Sequence, residues 1–199
     1  MPLNDRPSAL SELLQLRQTI LPKRLMAPGP DAEQLARILD AAAHAPDHGQ
    51  LLPWRFVLIA DAERAALGRT FSDALQERDP TALPEQLQQA HEKALRAPLL
   101  MMLVVEGVRG DARIGLLERV VSAGCAVQNM LLMATAQGFG SALSSGKALT
   151  SFSLRALLGL SRHEHAICFV SVGTTQRGKP ARERPQIHQY VTYLSTKAL

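Results

Sequence analysis

The sequence predicts a layered domain in which helices flank a small, mixed β-sheet. Three observations support this prediction: about six helical segments, four short apolar runs of strand length, and a chain of 199 residues. Such a length suits one domain with a substantial hydrophobic core. Because some of the strands lack a helical crossover on both sides, we expect mixed pairing instead of purely parallel pairing.

Two helices are predicted in the N-terminal part of the chain. The first covers residues 8–20, where leucines follow a mostly helical spacing behind a Pro-Ser start. The second begins at Asp31, and Gln34 three residues later completes a capping box. This helix must end near His44, because a proline two residues on cannot continue it. A short strand follows near residues 55–60.

The rest of the chain supplies four more helices and three more strands. The predicted helices run from Asp61 to about Leu75, from Pro84 to about Arg96, from Ile114 to Gln137 and from Thr150 to Leu158; the strands cover residues 98–105, 139–144 and 166–172. The helix over residues 114–137 is apolar on nearly all sides, which is typical of a helix in the core or at a subunit interface. Residues 120–146 carry no charge, but their glycines and amides favour a buried helix leading into a strand over a membrane span.

The composition disfavours several classes of protein. A net charge of +4 allows an anionic ligand without demanding a polyanionic partner, and the few aromatic residues, 4% of the chain, offer little for stacking on nucleic acid bases. Cys125 and Cys168 lie in apolar runs without metal-site spacing, which fits a reducing compartment. The first residues contain no apolar signal segment. We therefore expect a cytoplasmic protein that binds neither membranes nor nucleic acid.

Residues 45–56 join the second helix to the first strand and contain two prolines, a glycine and the only tryptophan, Trp54. This segment is either a rigid loop that positions ligand groups or an ordinary corner whose tryptophan fills the core. Residue types alone favour the second interpretation. His44 and His48 have the spacing of metal-binding helices, but Pro46 interrupts the helix between them, so we expect no metal site.

No familiar catalytic side-chain motif is present in the sequence. A Gly-x-Ser-x-Gly elbow and the phosphate-binding glycine loops are missing, and Cys125 lies among apolar residues as a core cysteine does. The glycine-rich residues 138–146 follow a helix instead of opening one. Their small side chains suit the close approach of a flat ligand or of another backbone, and they suit a tight corner between helix and strand equally well.

Basic residues occur at three separated places, each of which is typical of a solvated surface. Together they could converge on one phosphate group, for which arginine is well matched. These residues are Arg17 with Lys23 and Arg24, then Arg55, and finally Arg177, Lys179, Arg182 and Arg184.

Several motifs follow one another in the order found in a known enzyme family. They are Arg17-Gln18-Thr19, then Ala45-Pro46-Asp47-His48 with Pro53-Trp54-Arg55-Phe56, and the stretch from Ser122 to Gly140. With them the chain resembles the FMN-dependent nitroreductases over roughly residues 9 to 175, and most closely the YdjA-like branch.

The resemblance implies an α+β fold of three layers with a mixed central sheet, in an entwined homodimer that holds two FMN sites at the subunit interface. It implies a single domain over residues 1–199, with residues 174–199 as an arm on the partner subunit. The implied reaction passes a hydride from NAD(P)H through flavin N5 to a nitroaromatic, quinone or similar acceptor. Because FMN performs this chemistry, no catalytic side chain and no metal are needed.

The resemblance also assigns binding residues by position. Those implied to hold the FMN phosphate and ribityl chain are Arg17, Gln18 and Thr19. Those implied to contact FMN from the partner subunit are His44 and His48. Those implied to line the flavin ring are Leu143, Ser144 and Ser145. Those implied to bind the nicotinamide nucleotide are Met133, Ala134, Thr135, Ala136, Gln137 and Gly138.

Two departures from the family pattern shape the remaining expectations. Relatives often have a second cation where this chain has Gln18, so we hypothesise that Arg182 or Arg184 supplies the missing phosphate charge. The YdjA-like branch has Trp-Arg-Ser at the positions of residues 143–145. This difference motivates an alternative function, a flavin-binding protein without turnover that serves storage or regulation.

Overall fold

A four-stranded β-sheet forms the centre of the computed structural model, which describes residues 6–176 and 183–194. Its strands are β1 (Trp54–Leu58), β2 (Leu99–Glu106), β3 (Gly140–Ser144) and β4 (Glu164–Gly173). They are arranged in the order β1-β2-β4-β3, so that β2 and β4 lie inside and β1 and β3 form the edges. The continuous apolar run of β2 is explained by this central position, where both faces of the strand are covered.

The strands pair differently from the expected mixed arrangement. All three neighbouring pairs among the four strands are antiparallel. Parallel pairing in the described residues is limited to one isolated bridge, between Thr19 and Ser141 at the outer edge of β3. The bridge matters for the site, because it fixes the segment that follows the first helix against an edge strand.

Six α-helices surround the sheet. They are α1 (Arg6–Leu16), α2 (Ala32–Ala42), α3 (Arg64–Arg78), α4 (Pro84–Glu92), α5 (Leu116–Ala136) and α6 (Phe152–Leu157). The predicted capping box at the start of α2 is confirmed: Gln34 N donates to Asp31 Oδ1 over 2.8 Å, and Asp31 N donates to Gln34 Oε1 over 2.9 Å. The first helix is shorter than predicted, since it ends at Leu16 and leaves residues 17–20 outside it.

Two hydrophobic cores lie on opposite faces of the sheet, and alternation along β2 divides its side chains between them. Met101 and Leu103 face the core formed with α2 and α5, where Ile38 and Met130 are fully buried. Met102 faces the second core, formed with α3 and α6. The predicted three-layer arrangement is therefore confirmed, with the sheet between two layers of helices.

The tryptophan of the 45–56 segment belongs to the core, as the residue types favoured. Trp54 is the first residue of β1, is buried, and donates from Nε1 to Ser122 Oγ on α5 over 3.0 Å. Its indole N–H thereby finds a partner inside the protein, as buried indoles usually do.

The long helix α5 buries one face and exposes the other. Ala123, Ala126 and Met130 are buried against the sheet, whereas Leu117 is 80% exposed and Val121 is 67% exposed. Residues 120–146 thus form a core helix and an edge strand, as predicted. Within residues 6–176 and 183–194, no helix has both the length and the apolar character that crossing a membrane requires.

The two cysteines are free thiols in a packed environment. Burial raises the pKa of the Cys168 thiol to about 11, because the interior disfavours the thiolate. Cys125 is half-buried on α5. Neither cysteine forms a disulfide, which agrees with the prediction from their spacing.

Candidate functional site

The segment that carries the first family motif is fixed against the edge of the sheet. Ile20 N donates to Ser141 O on β3 over 2.8 Å. Further along the segment, Met26 and Thr174 exchange two backbone hydrogen bonds of 2.9 Å each. Residues 17–26 therefore run beside β3 and past the end of β4 as an ordered strap.

Glycine at position 140 makes this close contact possible. A β-carbon there would lie 2.9 Å from Leu25 Cδ2 and 3.1 Å from Ile20 Cγ1. A larger residue would therefore require the Leu25 and Ile20 side chains of the strap to shift. The glycine-rich corner predicted from the sequence thus allows the strap to pack closely on β3 here.

Arg17 lies at the start of the strap, immediately after α1. Its backbone N–H still donates to Leu13 O over 3.0 Å, but the helix has ended, so the motif is a helix exit and not part of the last turn. Arg184 Nη2 donates to Arg17 O over 3.2 Å, across 167 positions of sequence. The structure therefore brings Arg184 to the Arg17 motif, while Arg182 lies outside the described residues; the phosphate contact hypothesised for either arginine stays a prediction.

A cavity of about 410 Å³ opens beside the strap and the end of β3. Its walls include Pro22 of the strap together with Ser144 and Ser145, two of the three residues predicted to line a flat ring. Leu143, the third, is 44% exposed and does not line it. Two of these residues therefore line a cavity, and their contact with a flavin ring stays a prediction.

The other walls come from residues that no sequence motif selected. Apolar side chains of α3, β2 and β4 form the interior, including Phe71, Leu100 and Phe169. Cationic side chains also line the cavity: Arg78, Lys93, Arg96 and Lys147. They belong to no motif, so only their common position in the fold could reveal them.

One polar group inside the cavity is without a partner. Ser171 lines the cavity from β4 and is 1% exposed, and its hydroxyl makes no hydrogen bond with any other described residue. A buried hydroxyl without a partner costs free energy, so it is typical of a position where a ligand completes the hydrogen bonding.

His44 and His48 have contacts elsewhere in the chain. His48 Nδ1 lies 3.2 Å from Glu118 Oε1 in the first turn of α5, and His44 Nε2 lies 3.8 Å from Asp40 Oδ2 on α2. Both imidazoles are largely exposed. In the part of the chain that the structure describes, no three His, Cys, Asp or Glu residues are close enough to hold a metal ion.

The stretch predicted to bind the nicotinamide nucleotide ends α5 and connects it to α2. Ala134 is fully buried, Thr135 Oγ1 donates to Leu131 O over 2.8 Å, and Gln137 Nε2 donates to Gln34 O over 3.2 Å. Ala136 and Gly138 are exposed, and Gly138 has the positive φ of 83° that ends many helices. The binding assignment itself stays a prediction.

Arg55 does not join the other basic residues, contrary to one possibility raised by the sequence. It lies on β1, the edge strand opposite β3, and its Nε donates to Glu164 Oε1 over 2.7 Å. This contact with Arg55 lowers the pKa of the Glu164 carboxyl, and the Ser161 N–H, 2.9 Å from Glu164 Oε2, adds to the effect. Arg55 is therefore a structural ion-pair residue.

The Arg55–Glu164 pair predicts a pH-dependent contribution to stability. Because the folded-state pKa of Glu164 is lowered, its stabilisation is complete above the unfolded value of about 4.3 and is lost as pH falls through the folded-state pKa. We expect Glu164→Gln to lower the free energy of unfolding by about 1 kcal/mol at pH 7. The difference in the free energy of unfolding between Glu164→Gln and the unmodified protein should shrink towards zero near pH 3.

Urea unfolding followed by Trp54 fluorescence would measure the free energy of unfolding of the variant and of the unmodified protein at each pH. Glu33→Gln is the matched control, since Glu33 pairs with Arg37 on an exposed helix face and should contribute less than about 0.5 kcal/mol. A Glu164→Gln effect that stays constant from pH 7 to pH 3 would contradict the prediction.

Comparisons with known proteins identify the family of this chain. The model of the nitroreductase family matches residues 17–174. A Haemophilus influenzae protein named "Putative NAD(P)H nitroreductase" is 37% identical over 174 residues, which cover 86% of this chain and 93% of the relative. YdjA of Escherichia coli, which carries the same description, is 32% identical over 173 residues, covering 85% of this chain and 92% of YdjA.

Solved structures place the chain in the nitroreductase fold class. A nitroreductase-like family protein from Bacillus cereus superposes with a TM-score of 0.79 at 17% identity, covering 93% of this chain and 95% of that one. The NADPH:FMN oxidoreductase from Vibrio harveyi, solved with NAD⁺, superposes with a TM-score of 0.71 at 18% identity, covering 95% of this chain and 78% of that one. Sequence and fold together give the identity: the chain belongs to the nitroreductase family, and it is an oxidoreductase.

Proposed function

We propose that this protein is an FMN-dependent oxidoreductase that transfers a hydride from NAD(P)H to a nitroaromatic, quinone or similar acceptor. The observation that carries the proposal is the cavity beside β3, which Pro22 of the strap, Ser144 and Ser145 help to line and whose buried Ser171 hydroxyl has no partner among the described residues. Family membership and the names of the relatives support the same reaction class.

The residues present fit FMN. The cavity of about 410 Å³ lies within the usual range for small-molecule sites, and its apolar interior suits a flat ring. Ser144, Ser145 and the unpartnered Ser171 hydroxyl would hydrogen-bond the polar edge of the ring. Arg17 and Arg184, which the structure brings together, would hold the phosphate, with Gln18 and Thr19 along the ribityl chain.

Bound FMN supplies the two-electron carrier for the reaction. The overall balance for a nitro acceptor is one NAD(P)H and one proton consumed, one NAD(P)⁺, one nitroso product and one water formed. The protein's own residues position the reactants and exclude water with the apolar walls of the cavity. No side chain has to act as acid, base or nucleophile, in agreement with the missing catalytic motifs.

A homodimer is part of the proposal. Exposed leucines on α1, exposed Leu117 and Val121 on α5, and the exposed apolar side chains of residues 187–194 form surfaces that a second copy would cover. In such a dimer, His44 and His48 of one subunit would reach the FMN of the other, which would explain why they do not lie at their own cavity. The nicotinamide nucleotide would approach the exposed side of residues 133–138.

Colour and anaerobic reduction test the proposed function directly. We expect the purified protein to be yellow with FMN bound, and to bleach when NADH or NADPH is added without oxygen. Yellow colour that persists after both nucleotides would favour the storage alternative. A protein that stays colourless after incubation with FMN would contradict the proposal.

A further inference from the structure

Three of the four cationic side chains that line the cavity come from one stretch of the chain, residues 78–96. They are Arg78 at the end of α3, Lys93 in the turn after α4, and Arg96 just before β2. We call these three residues the cationic rim. The same cavity is lined by two aromatic rings, Phe71 and Phe169, which pack edge to face with 5.4 Å between their centroids.

The charges of the cationic rim are not neutralised within the described protein. None of the three side chains has a carboxylate within 4.0 Å among residues 6–176 and 183–194, whereas Arg37, Arg55 and Arg113 all have such partners. Three like charges around one opening raise the local positive potential and attract an anion. Beside an aromatic interior, they match a ligand that is both flat and anionic.

We propose that the cationic rim selects acceptors that carry a carboxylate on an aromatic ring. This inference rests on the proposed function, since it names the acceptor class of the same cavity. Arginine side chains bind carboxylates through paired hydrogen bonds. The apolar interior would hold the FMN ring, and the acceptor ring would lie against that ring with its carboxylate at the cationic rim. The carboxylate takes no part in the reaction, which consumes the same NAD(P)H and proton as for a neutral acceptor.

A pair of matched acceptors tests the inference. 4-Nitrobenzoate carries the charge, and 4-nitrobenzamide has nearly the same shape without it. We expect the FMN-loaded protein to show a kcat/KM for the benzoate at least tenfold higher than for the amide, mainly through KM. Replacing the cationic rim in Arg78→Gln/Lys93→Gln/Arg96→Gln should abolish this preference and leave kcat/KM for the amide within about twofold. Tenfold corresponds to about 1.4 kcal/mol.

Arg69→Gln is the matched control, because Arg69 is an exposed cation of α3 that does not line the cavity. It should keep the preference for the benzoate. Titration calorimetry of each variant with 4-nitrobenzoate provides a readout that needs no turnover, and the affinity of the unmodified protein should fall as salt rises.

Two results would overturn the inference. One is a ratio of kcat/KM for 4-nitrobenzoate to kcat/KM for 4-nitrobenzamide that is the same in the unmodified and the triple-substituted protein. The other is a triple variant that loses its yellow colour, since the cationic rim would then hold the cofactor instead of the acceptor. Failure of the proposed function is distinguishable, because an unmodified protein that does not take up FMN fails before any acceptor is added.

Discussion

Replacing Arg17 by alanine is expected to weaken FMN binding by about 10–100-fold, because a charge-assisted hydrogen bond to the phosphate is lost. The strap itself should stay in place, since Ile20 and Met26 hold it through backbone hydrogen bonds that do not involve the Arg17 side chain. Fluorescence titration of the cofactor-free protein with FMN measures the change in affinity. Riboflavin, which lacks the phosphate, should bind the variant and the unmodified protein equally well.

Two further variants make the Arg17 experiment specific. Arg184→Ala should produce a smaller loss in the same direction, because its guanidinium lies at the Arg17 carbonyl. Arg69→Ala, an exposed cation on α3, should leave FMN affinity unchanged. If Arg17→Ala weakens riboflavin and FMN to the same extent, the phosphate assignment is wrong.

Replacing Arg119 by methionine should destabilise the fold by about 3–5 kcal/mol and lower the melting temperature by on the order of 10 °C. Arg119 is 1% exposed, and its guanidinium donates only to backbone carbonyls. The closest of these are Arg109 O at 2.7 Å, Asp111 O at 2.8 Å and Ile114 O at 2.9 Å. The variant would leave these carbonyls without their donors inside the protein.

Thermal and urea unfolding followed by Trp54 fluorescence would measure the loss. Arg113→Met is the matched control, because Arg113 belongs to the same loop and is 91% exposed in its pair with Asp111. Its effect should be much smaller than that of Arg119→Met, because solvent screens an exposed ion pair. Equal effects of the two substitutions would show that Arg119 does not organise the loop between β2 and α5.

Local patterns in the sequence were sufficient for most of the secondary structure. The capping box of Asp31 and Gln34 marked the start of α2, because both partners lie within one helical turn. Gly159, with a φ of 60°, ended α6 as predicted. The apolar run before Glu106 identified a central strand by burial on both faces. The first two elements are fixed by forces between near neighbours in the chain, whereas the central position of β2 rests on its pairing with β1 and β4.

The family resemblance extended this prediction to part of the site. It selected Arg17, which begins the strap, and the pair Ser144 and Ser145, which line the cavity. The resemblance did not select the cationic rim, because none of its three residues belongs to a motif shared with the family. The sequence left open a convergence of Arg55 with the other cations, whereas Arg55 pairs with Glu164 at the far edge of the sheet.

The sequence by itself determined the kinds of elements, the position of the core and the family to which the chain belongs. Only the tertiary structure decided that the four strands pair antiparallel, that Arg119 is buried among carbonyls, and that cations without a carboxylate partner among the described residues line one aromatic cavity. The physical reason is distance along the chain. Propensity, capping and periodicity act over a few residues, whereas strand pairing and the lining of a cavity join residues that are tens of positions apart.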